Sequence, residues 1–355
     1  MKVEKYYTAV PSLIKRTQTV GRRMPFCAKD TEEYEIWAAK LRGNLSGCIG
    51  LDKMVRCGLQ VQELERVTVD GGLTRVKMVI NTEPDVQMPF YMFLPADFGG
   101  GKKYPAVICC HGHGSAGKAV VAGIAVTDEI KSSIAGFNYD YGVQIAKTGC
   151  VTFCPDARGF GERRERQNWG DGPDKYMNGS CHILNAIAST IGQSVAGMWV
   201  WDLMRLIDYI ETLDFCVSGK TACVGLSGGG LQTLWLTAMD KRVCACIVSG
   251  YYYGFKESLI DLFNCDCNYQ PGVWEHIDVG ELGALIAPRP MVIETGTEDP
   301  LNGASKLENV EPYVEIARGA YRLFEAENNL LHDIFEGGHL WHGTVSVEFL
   351  LEALK

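Results

Sequence analysis

The strongest chemical signal in the sequence is a serine set between glycines. The segment GLSGG at residues 225–229 follows an apolar run at 221–224 and precedes a helical pattern at 231–239. A Gly-x-Ser-x-Gly turn between a strand and a helix exposes the serine hydroxyl at a sheet edge and aims the next backbone N–H at a developing oxyanion. The pattern predicts Ser227 as a nucleophile and Gly228 as an oxyanion donor. An inert serine in a glycine-rich turn is the alternative.

A nucleophilic serine needs a general base and a carboxylate that orients the base. After such a turn they follow in the order acid, then histidine. His339 lies in a glycine loop after the last apolar run and before the final helical pattern, with His342 as the fallback. Asp299 lies in an acidic turn after another apolar run, with the neighbouring Glu298 as its rival. On spacing alone, both choices stay open.

A loop rich in histidine and glycine follows the first continuously apolar run, and it fits three templates. Gly112, Gly114 and Gly117 match the GxGxxG fingerprint of dinucleotide sites. The overlapping phosphate-loop pattern lacks the hydroxyl residue that holds magnesium, because Ala119 follows the lysine. The third template is an oxyanion loop, in which small residues let backbone N–H groups approach a developing negative charge. The dinucleotide and oxyanion templates both remain open.

The cysteines are numerous but do not form a recognisable framework. There are 14 of them in 355 residues, about 4%, well below the content of disulfide scaffolds. Many fall inside apolar runs, where a free thiol acts as a small buried hydrophobe. Cys265 and Cys267 have the spacing of half a metal site, but no second pair or nearby histidine completes it. We therefore interpret the pair as part of a loop and predict no metal site.

Composition excludes several other classes of protein. The chain is 46% hydrophobic with a formal net charge of −9, so it should fold, and it has no basic excess to bind nucleic acid. No run approaches the roughly 18 apolar residues of a membrane span, so we expect no membrane partner. The N-terminal segment lacks the apolar stretch of a signal peptide, which together with the free cysteines favours a cytoplasmic location.

The order of the elements predicts one α/β domain. Continuously apolar runs alternate with helical patterns, which is typical of a mostly parallel sheet with helices on both faces. Three shorter strand-like runs come before them and predict antiparallel strands at the start of the sheet. We expect a helical extension over residues 1–63 and a catalytic domain over residues 64–355. A small lid or wall should be inserted at about residues 250–285.

Taken together, the motifs resemble the α/β-hydrolase superfamily, specifically its dienelactone-hydrolase and acetyl-xylan-esterase-like branch. The resemblance covers roughly residues 64–355. The matching segments are HGHG at 111–114, DARGFG at 156–161, WD at 201–202 with Arg205 and Asp208, GLSGG at 225–229, APRP at 287–290, GTED at 296–299 and GH at 338–339. The resemblance implies the same mostly parallel, twisted sheet.

The resemblance also implies roles for individual residues. By this resemblance Ser227 is the nucleophile, His339 the base and Asp299 the acid. The oxyanion hole would be formed by the backbone N–H groups of Gly228 and His113. Many members of the family carry a tyrosine-like residue where this chain has His113, so we expect its side chain to meet substrate as well.

Aromatic residues supply further expected substrate contacts. Tyr251 and Trp274 lie in the segment between two apolar runs that we interpret as the lid or wall, and Trp341 lies two residues after the candidate base. Such rings can stack on a sugar or on an aromatic acyl group, and ordinary packing is the equally weighted alternative.

The expected activity is hydrolysis of a carboxylic ester through an acyl-enzyme, on small acylated substrates that include sugars. No metal or organic cofactor is expected, and the partner is a small-molecule ester, with homo-oligomerisation left open. A serine peptidase of the same fold and a dinucleotide-dependent oxidoreductase using the loop of Gly112, Gly114 and Gly117 are the alternatives. A non-catalytic binding protein on the same fold is a third.

Overall fold

The structure, a computed structural model, describes residues 7–355. Nine strands form one sheet in the order β1-β2-β3-β5-β4-β6-β7-β8-β9. In chain order they are β1 (Gln62–Thr68), β2 (Thr74–Glu83), β3 (Val86–Leu94), β4 (Tyr104–Cys110), β5 (Val151–Pro155), β6 (Cys216–Leu226), β7 (Val243–Ser249), β8 (Met291–Gly296) and β9 (Leu330–Phe335).

Strand direction divides the sheet into two parts. β1, β2 and β3 pair antiparallel, and β3 also runs antiparallel to β5. From β5 through β9 all neighbouring pairs are parallel. The predicted mostly parallel sheet with antiparallel strands at its start is confirmed. The central strands are buried along almost their whole length, which explains why they appear as unbroken apolar runs in the sequence.

Helices cover both faces of this sheet, and two buried hydrophobic clusters fill the two sides. The helices are α1 (Val10–Val20), α2 (Thr31–Ile49), α3 (Lys118–Val121), α4 (Asp128–Phe137), α5 (Tyr141–Ala146), α6 (Pro173–Tyr176), α7 (Cys181–Thr190), α8 (Val195–Ile210), α9 (Gly228–Met239), α10 (Val273–His276), α11 (Val279–Ala284), α12 (Glu311–Leu323) and α13 (Thr344–Leu354). Within residues 7–355 no single helix has the length and apolar character to cross a membrane, although the pair Pro173–Thr190 and Val195–Ile210, bent by 96°, meets those criteria together.

The N-terminal extension packs on the main core. The Asp30 carboxylate accepts a hydrogen bond from the Glu33 N–H (2.9 Å) and so caps α2. The buried face of α2 joins the hydrophobic cluster that includes α8 and α9. The Tyr34 hydroxyl donates to the carbonyls of Ala284 and Ala287, each at 2.9 Å. The expected boundary near residue 63 falls at the start of β1, and the first six residues of the extension lie outside the described residues.

Two further segments position the candidate site. The loop between β4 and α3 lies at the carboxyl end of the central strand. The chain between β7 and β8 contains α10, α11 and several single helical turns, and it occupies the place where we expected a lid or wall. Because the carboxyl ends of parallel strands meet at one edge of the sheet, both segments lie where ligands bind in such folds.

Candidate active site

Ser227 lies in a strained turn between β6 and α9. Its backbone has φ 62° and ψ −121°, a left-handed conformation that is rare for a residue with a side chain. Its N–H donates to the carbonyl of Ser249 at 2.9 Å, which ties the turn to β7. Strain of this kind typically costs about 1–3 kcal/mol and clusters at functional sites. The turn predicted from the GLSGG segment is therefore present.

The glycines around Ser227 let three backbone segments touch. A Cβ on Gly229 would lie 2.0 Å from the carbonyl oxygen of Cys110, at the end of β4. A Cβ on Gly225 would lie 2.4 Å from the carbonyl carbon of Gly229. No side chain fits at either position, so the spacing of the glycines follows directly from the close approach of β4, β6 and α9.

His339 and Asp299 form a hydrogen-bonded pair beside this turn. The Nδ1 atom of His339 lies 2.7 Å from Oδ2 of Asp299. The other carboxylate oxygen of Asp299 accepts the Leu301 N–H at 2.8 Å, and the side chain is buried. The ring of His339 packs against the backbone of Gly250, where a Cβ would lie 2.9 Å from its Cε1 atom. The structure thus brings together the two residues that we favoured as base and acid.

The rival residues lie elsewhere. Glu298 is exposed and pairs with Lys306 at 2.9 Å. His342 pairs with Asp333 through Nδ1, also at 2.7 Å, and stacks on Phe335. It is not among the residues that line a cavity with Ser227, whereas His339 is. The direction of each side chain, which spacing could not give, separates the candidates.

The backbone of His113 lies close to Gly228, the residue after the serine. A Cβ on Gly228 would lie 3.3 Å from the backbone nitrogen of His113 and 2.4 Å from its ring Nδ1 atom. Among residues 7–355, neither the Gly228 N–H nor the His113 N–H donates to another protein group. The loop that carries His113 is held in place because the Gly112 N–H donates to the Tyr139 hydroxyl at 2.9 Å. Two free donors beside a serine fit the expected oxyanion hole.

Ser227 and His339 line one cavity of about 660 Å³, which is large enough to enclose a small organic ligand. Its apolar walls include Phe137, Phe160 and Leu301. Asn264, Asp266 and His182 add polar groups, and the first two belong to the segment between β7 and β8. His113 also lines the cavity.

The other three expected substrate contacts are corrected by the structure. Tyr251 is buried, and its hydroxyl donates to Oδ1 of Asn268 at 2.6 Å instead of facing the cavity. Trp274 lines a separate cavity of about 230 Å³. Trp341 is fully buried and stacks on Tyr141 with ring centroids 4.5 Å apart. Tyr251 and Trp341 serve packing, the alternative named for them above, and Trp274 packs against Phe255 with ring centroids 5.9 Å apart.

The glycine loop does not have the geometry of a dinucleotide site. A Cβ on Gly117 would lie 2.2 Å from Oδ1 of Asp156, so a carboxylate fills the space beside this glycine. The same oxygen accepts the Lys118 N–H at 2.7 Å, and the buried Lys118 ammonium pairs with this carboxylate. In a dinucleotide site the corresponding N–H groups face a pyrophosphate. Here a buried acidic side chain takes that position and would repel one.

Sequence reasoning missed a cluster of sulfur ligands in the cavity wall. The expectation that nothing completes the pair of Cys265 and Cys267 was wrong, because the fold brings Cys181 and His113 against it. The four candidate ligand atoms all lie within 4.8 Å of one another. No local spacing could reveal the cluster, since its members come from three distant segments of the chain.

A mostly parallel sheet, helices on both faces and a serine on a strained turn after a central strand together define an α/β-hydrolase fold. This confirms the fold that the motifs implied.

Comparison with known proteins agrees with this class. No protein-family model matches the sequence. YtaP of Bacillus subtilis, a presumed hydrolase by its name, is 25% identical over 272 residues, which cover 74% of this chain and 81% of YtaP. A presumed acetyl xylan esterase from Bacteroides fragilis superposes with a TM-score of 0.76 at 16% identity, covering 95% of this chain and 84% of that one. A CE15 glucuronoyl esterase from Teredinibacter turnerae gives 0.64 at 15% identity, covering 95% and 88%.

Proposed function

We propose that the protein is a carboxylic ester hydrolase that uses Ser227, His339 and Asp299 as a catalytic triad. The observation that carries the proposal is the hydrogen-bonded pair of His339 and Asp299 (2.7 Å), which opens on the same cavity as a serine held in a strained turn. A base that is already oriented by a carboxylate is what an otherwise weak serine nucleophile requires. The names of the similar proteins, hydrolase and carbohydrate esterase, support the same reaction class.

In the first step the Ser227 hydroxyl attacks the ester carbonyl carbon while Nε2 of His339 takes its proton. Asp299 accepts the hydrogen bond from Nδ1 and stabilises the imidazolium that forms. The N–H groups of Gly228 and His113 hold the negative oxygen of the tetrahedral intermediate. The intermediate then expels the alkoxide, which leaves as an alcohol with the proton from His339, and the acyl group stays on Ser227.

In the second step a water molecule replaces the alcohol. His339 takes a proton from the water as its oxygen attacks the acyl carbon, and the same two N–H groups hold the second oxyanion. Collapse of this intermediate breaks the bond to Ser227, which recovers the proton from His339. The products are a carboxylic acid and the free enzyme.

The lining of the cavity favours a neutral, partly polar ester. Phenylalanine rings and Leu301 supply apolar surface, whereas Asn264 and Asp266 supply groups that can accept or donate hydrogen bonds to hydroxyls. Among the described residues that line it, none is a lysine or arginine that would attract a free carboxylate. We therefore propose small acylated molecules, including acetylated sugars, as substrates.

The decisive experiment is an ester panel run on the Ser227→Ala variant beside the unaltered protein. The panel contains acetylated sugars, p-nitrophenyl acetate, a lactone, a methyl ester of a sugar acid and an aminoacyl anilide. We expect turnover of at least one ester, and a fall in kcat of about 10⁴-fold or more in the variant. Circular dichroism should be unchanged.

Ser218→Ala is the matched control, because Ser218 is exposed near the start of β6 and far along the strand from the turn. It should keep full activity. An alanine variant at residue 227 that retains most of the ester turnover would contradict the proposal. Preferential cleavage of the anilide would instead favour the peptidase alternative.

A further inference from the structure

Three thiols and one imidazole meet where the cavity wall joins the loop after β4. His113 comes from that loop, Cys181 is the first residue of α7, and Cys265 and Cys267 belong to the segment between β7 and β8. Nε2 of His113 lies 3.0 Å from Sγ of Cys267 and 4.0 Å from Sγ of Cys181. These three separate segments thus direct soft ligand atoms to one point.

The separations are close to those of a tetrahedral metal site. With zinc–sulfur bonds of about 2.3 Å and zinc–nitrogen bonds of about 2.0–2.1 Å, tetrahedral ligands lie about 3.8 Å apart for two sulfurs and about 3.5 Å apart for sulfur and nitrogen. Every pair of ligand atoms in the cluster lies within 4.8 Å, and the two sulfur–nitrogen distances of 3.0 and 4.0 Å fall on either side of the ideal value. Only small side-chain movements separate this arrangement from a closed coordination sphere.

We propose that His113, Cys181, Cys265 and Cys267 bind a zinc ion. Three thiolates and an imidazole are a donor set of structural zinc sites, whereas magnesium and calcium take oxygen ligands. A disulfide would use two of the three thiols and leave the imidazole and the third thiol unexplained. The set is complete with four protein ligands, so the ion has no open position for water and its role is to hold segments together.

The burial of the ligands suits both retention and loading of the ion. Cys181 and Cys267 are buried, which protects the bonds they would form. His113 and Cys265 are half-buried and line the cavity, so an incoming ion can reach the cluster from solvent through the cavity.

The ion would link the cavity wall to the nucleophile turn. Nδ1, the second ring nitrogen of His113, lies on the side of Gly228, the first residue of α9. Binding at Nε2 therefore fixes a ring that already lies against the turn. Zinc binding itself does not depend on the proposed ester hydrolysis and can be tested without it.

The test starts with the unaltered full-length chain, purified without chelator from a zinc-supplemented culture. Native mass spectrometry and elemental analysis should find one zinc per chain. After removal of zinc and addition of cobalt(II), the absorption spectrum should show tetrahedral d–d bands and thiolate-to-cobalt charge-transfer bands whose intensity corresponds to three sulfurs.

Cys265→Ser is the mildest ligand variant because this residue is half-buried, and it should lose at least 90% of the bound zinc. Cys27→Ser is the matched control, because that thiol is exposed and distant in sequence, and it should keep one zinc per chain. Full retention of zinc in the Cys265→Ser variant would overturn the assignment of the site.

Two results on the unaltered chain would overturn the proposal even if no variant folds. One is the absence of bound zinc together with a cobalt spectrum that has no thiolate bands. The other is a non-reducing peptide map in which two of the three cluster thiols are joined as a disulfide in the freshly purified protein.

Discussion

Two adjacent acidic residues show how finely the site depends on side-chain direction. Asp299 is buried, with one oxygen on the His339 ring and the other on the Leu301 N–H. Its neighbour Glu298 points to solvent and pairs with Lys306. The Leu301 N–H holds the Asp299 carboxylate in place. Because a carboxylate only accepts hydrogen bonds, the ring nitrogen that faces it carries the proton. The opposite nitrogen is then free to accept one.

Replacing the buried acid should therefore abolish most of the activity. In Asp299→Asn the amide can present an N–H to the ring, which favours the wrong tautomer and removes the charge that stabilises the imidazolium. We expect kcat for the best ester of the panel to fall by about 10⁴-fold.

The control is Glu298→Gln, which makes the same chemical change one residue away. It should alter kcat by no more than a few fold, because exposed ion pairs contribute little. Steady-state kinetics of both variants, with melting temperatures to verify folding, decide between the two carboxylates. A larger loss in Glu298→Gln than in Asp299→Asn would mean that the acid is misassigned.

At the scale of elements, the loop after β4 is held by a buried ion pair rather than by a ligand. Asp156, at the end of β5, accepts the Lys118 N–H at 2.7 Å and pairs with the ammonium of the same residue. It also accepts the Glu162 N–H at 3.0 Å. Gly117 is the residue that lets this carboxylate approach the loop. A residue pattern that resembles a nucleotide site thus has a packing explanation.

Two alanine variants in this loop isolate the contribution of the ion pair. Gly117 and Gly114 both have positive φ (63° and 60°), so alanine should cost about 1–2 kcal/mol of backbone strain at each. Only Gly117→Ala also pushes a Cβ against Asp156, because Gly114 has nothing within 4 Å of its Cβ position. Breaking a buried ion pair costs about 3–5 kcal/mol.

We therefore expect Gly117→Ala to lower the free energy of unfolding by about 3 kcal/mol more than Gly114→Ala does. Urea denaturation of both variants measures the difference. Equal destabilisation would show that the Asp156 carboxylate can move away without loss of stability. The ion pair would then not be the contact that holds the loop.

Most elements could be predicted because their sequence patterns are local. β4, β5, β7 and β8 are buried on both faces, so each is a short apolar run bounded by turn residues, and each of these runs is a strand in the structure. Tyr251, Trp274 and Trp341 could not be placed in the same way. An aromatic side chain is equally suited to a core and to a binding site, and only the three-dimensional packing decides its direction.

At the scale of the whole molecule, the N-terminal extension and the sheet domain share one packing interface. The last carbonyl of α2, that of Ile49, accepts a hydrogen bond from the Ser194 hydroxyl at 3.2 Å. The same hydroxyl accepts the Gly197 N–H at 3.1 Å and caps α8. A Cβ on Gly197 would lie 1.9 Å from that Ile49 oxygen. One serine and one glycine therefore fix how α2 meets α8.

Gly197→Ala should destabilise the whole protein, because the Ile49 carbonyl and the first turn of α8 cannot keep their contact. We expect a loss of about 1–3 kcal/mol, the usual cost of an overpacked contact. The matched control is Gly43→Ala, at an exposed position inside α2 with nothing within 4 Å of its Cβ position. It should stabilise by about 0.5–1 kcal/mol through helix propensity.

Thermal unfolding followed by circular dichroism measures both variants. A single transition that shifts down in Gly197→Ala and up in Gly43→Ala would show that the extension and the sheet domain unfold together. A second transition appearing in Gly197→Ala alone would mean that the extension is an independent unit.

One part of the candidate site could be predicted from the sequence and another could not, because only the first depends on a local pattern of residues. Ser227 and its glycines belong to one short segment whose backbone conformation demands those residue types, so the motif is visible in the sequence. The sulfur cluster joins His113, Cys181 and the Cys265–Cys267 pair, which are separated by about 70–85 residues of chain at each step. Residues so far apart meet only when the long loops between them close, so no local spacing in the sequence indicates that they are neighbours. Only the fold could reveal it.

The segment between β7 and β8 has a consequence for how this lineage can diversify. The residues proposed to attack the ester and to hold its charge lie close after β4 and β6, whereas Asn264 and Asp266 belong to the segment between β7 and β8. Such segments accept substitutions and length changes while the scaffold persists. Natural variation there can change which esters fit while the reaction is inherited unchanged. Cys265 and Cys267 are the exception, because as proposed zinc ligands they would also anchor the loop that carries His113.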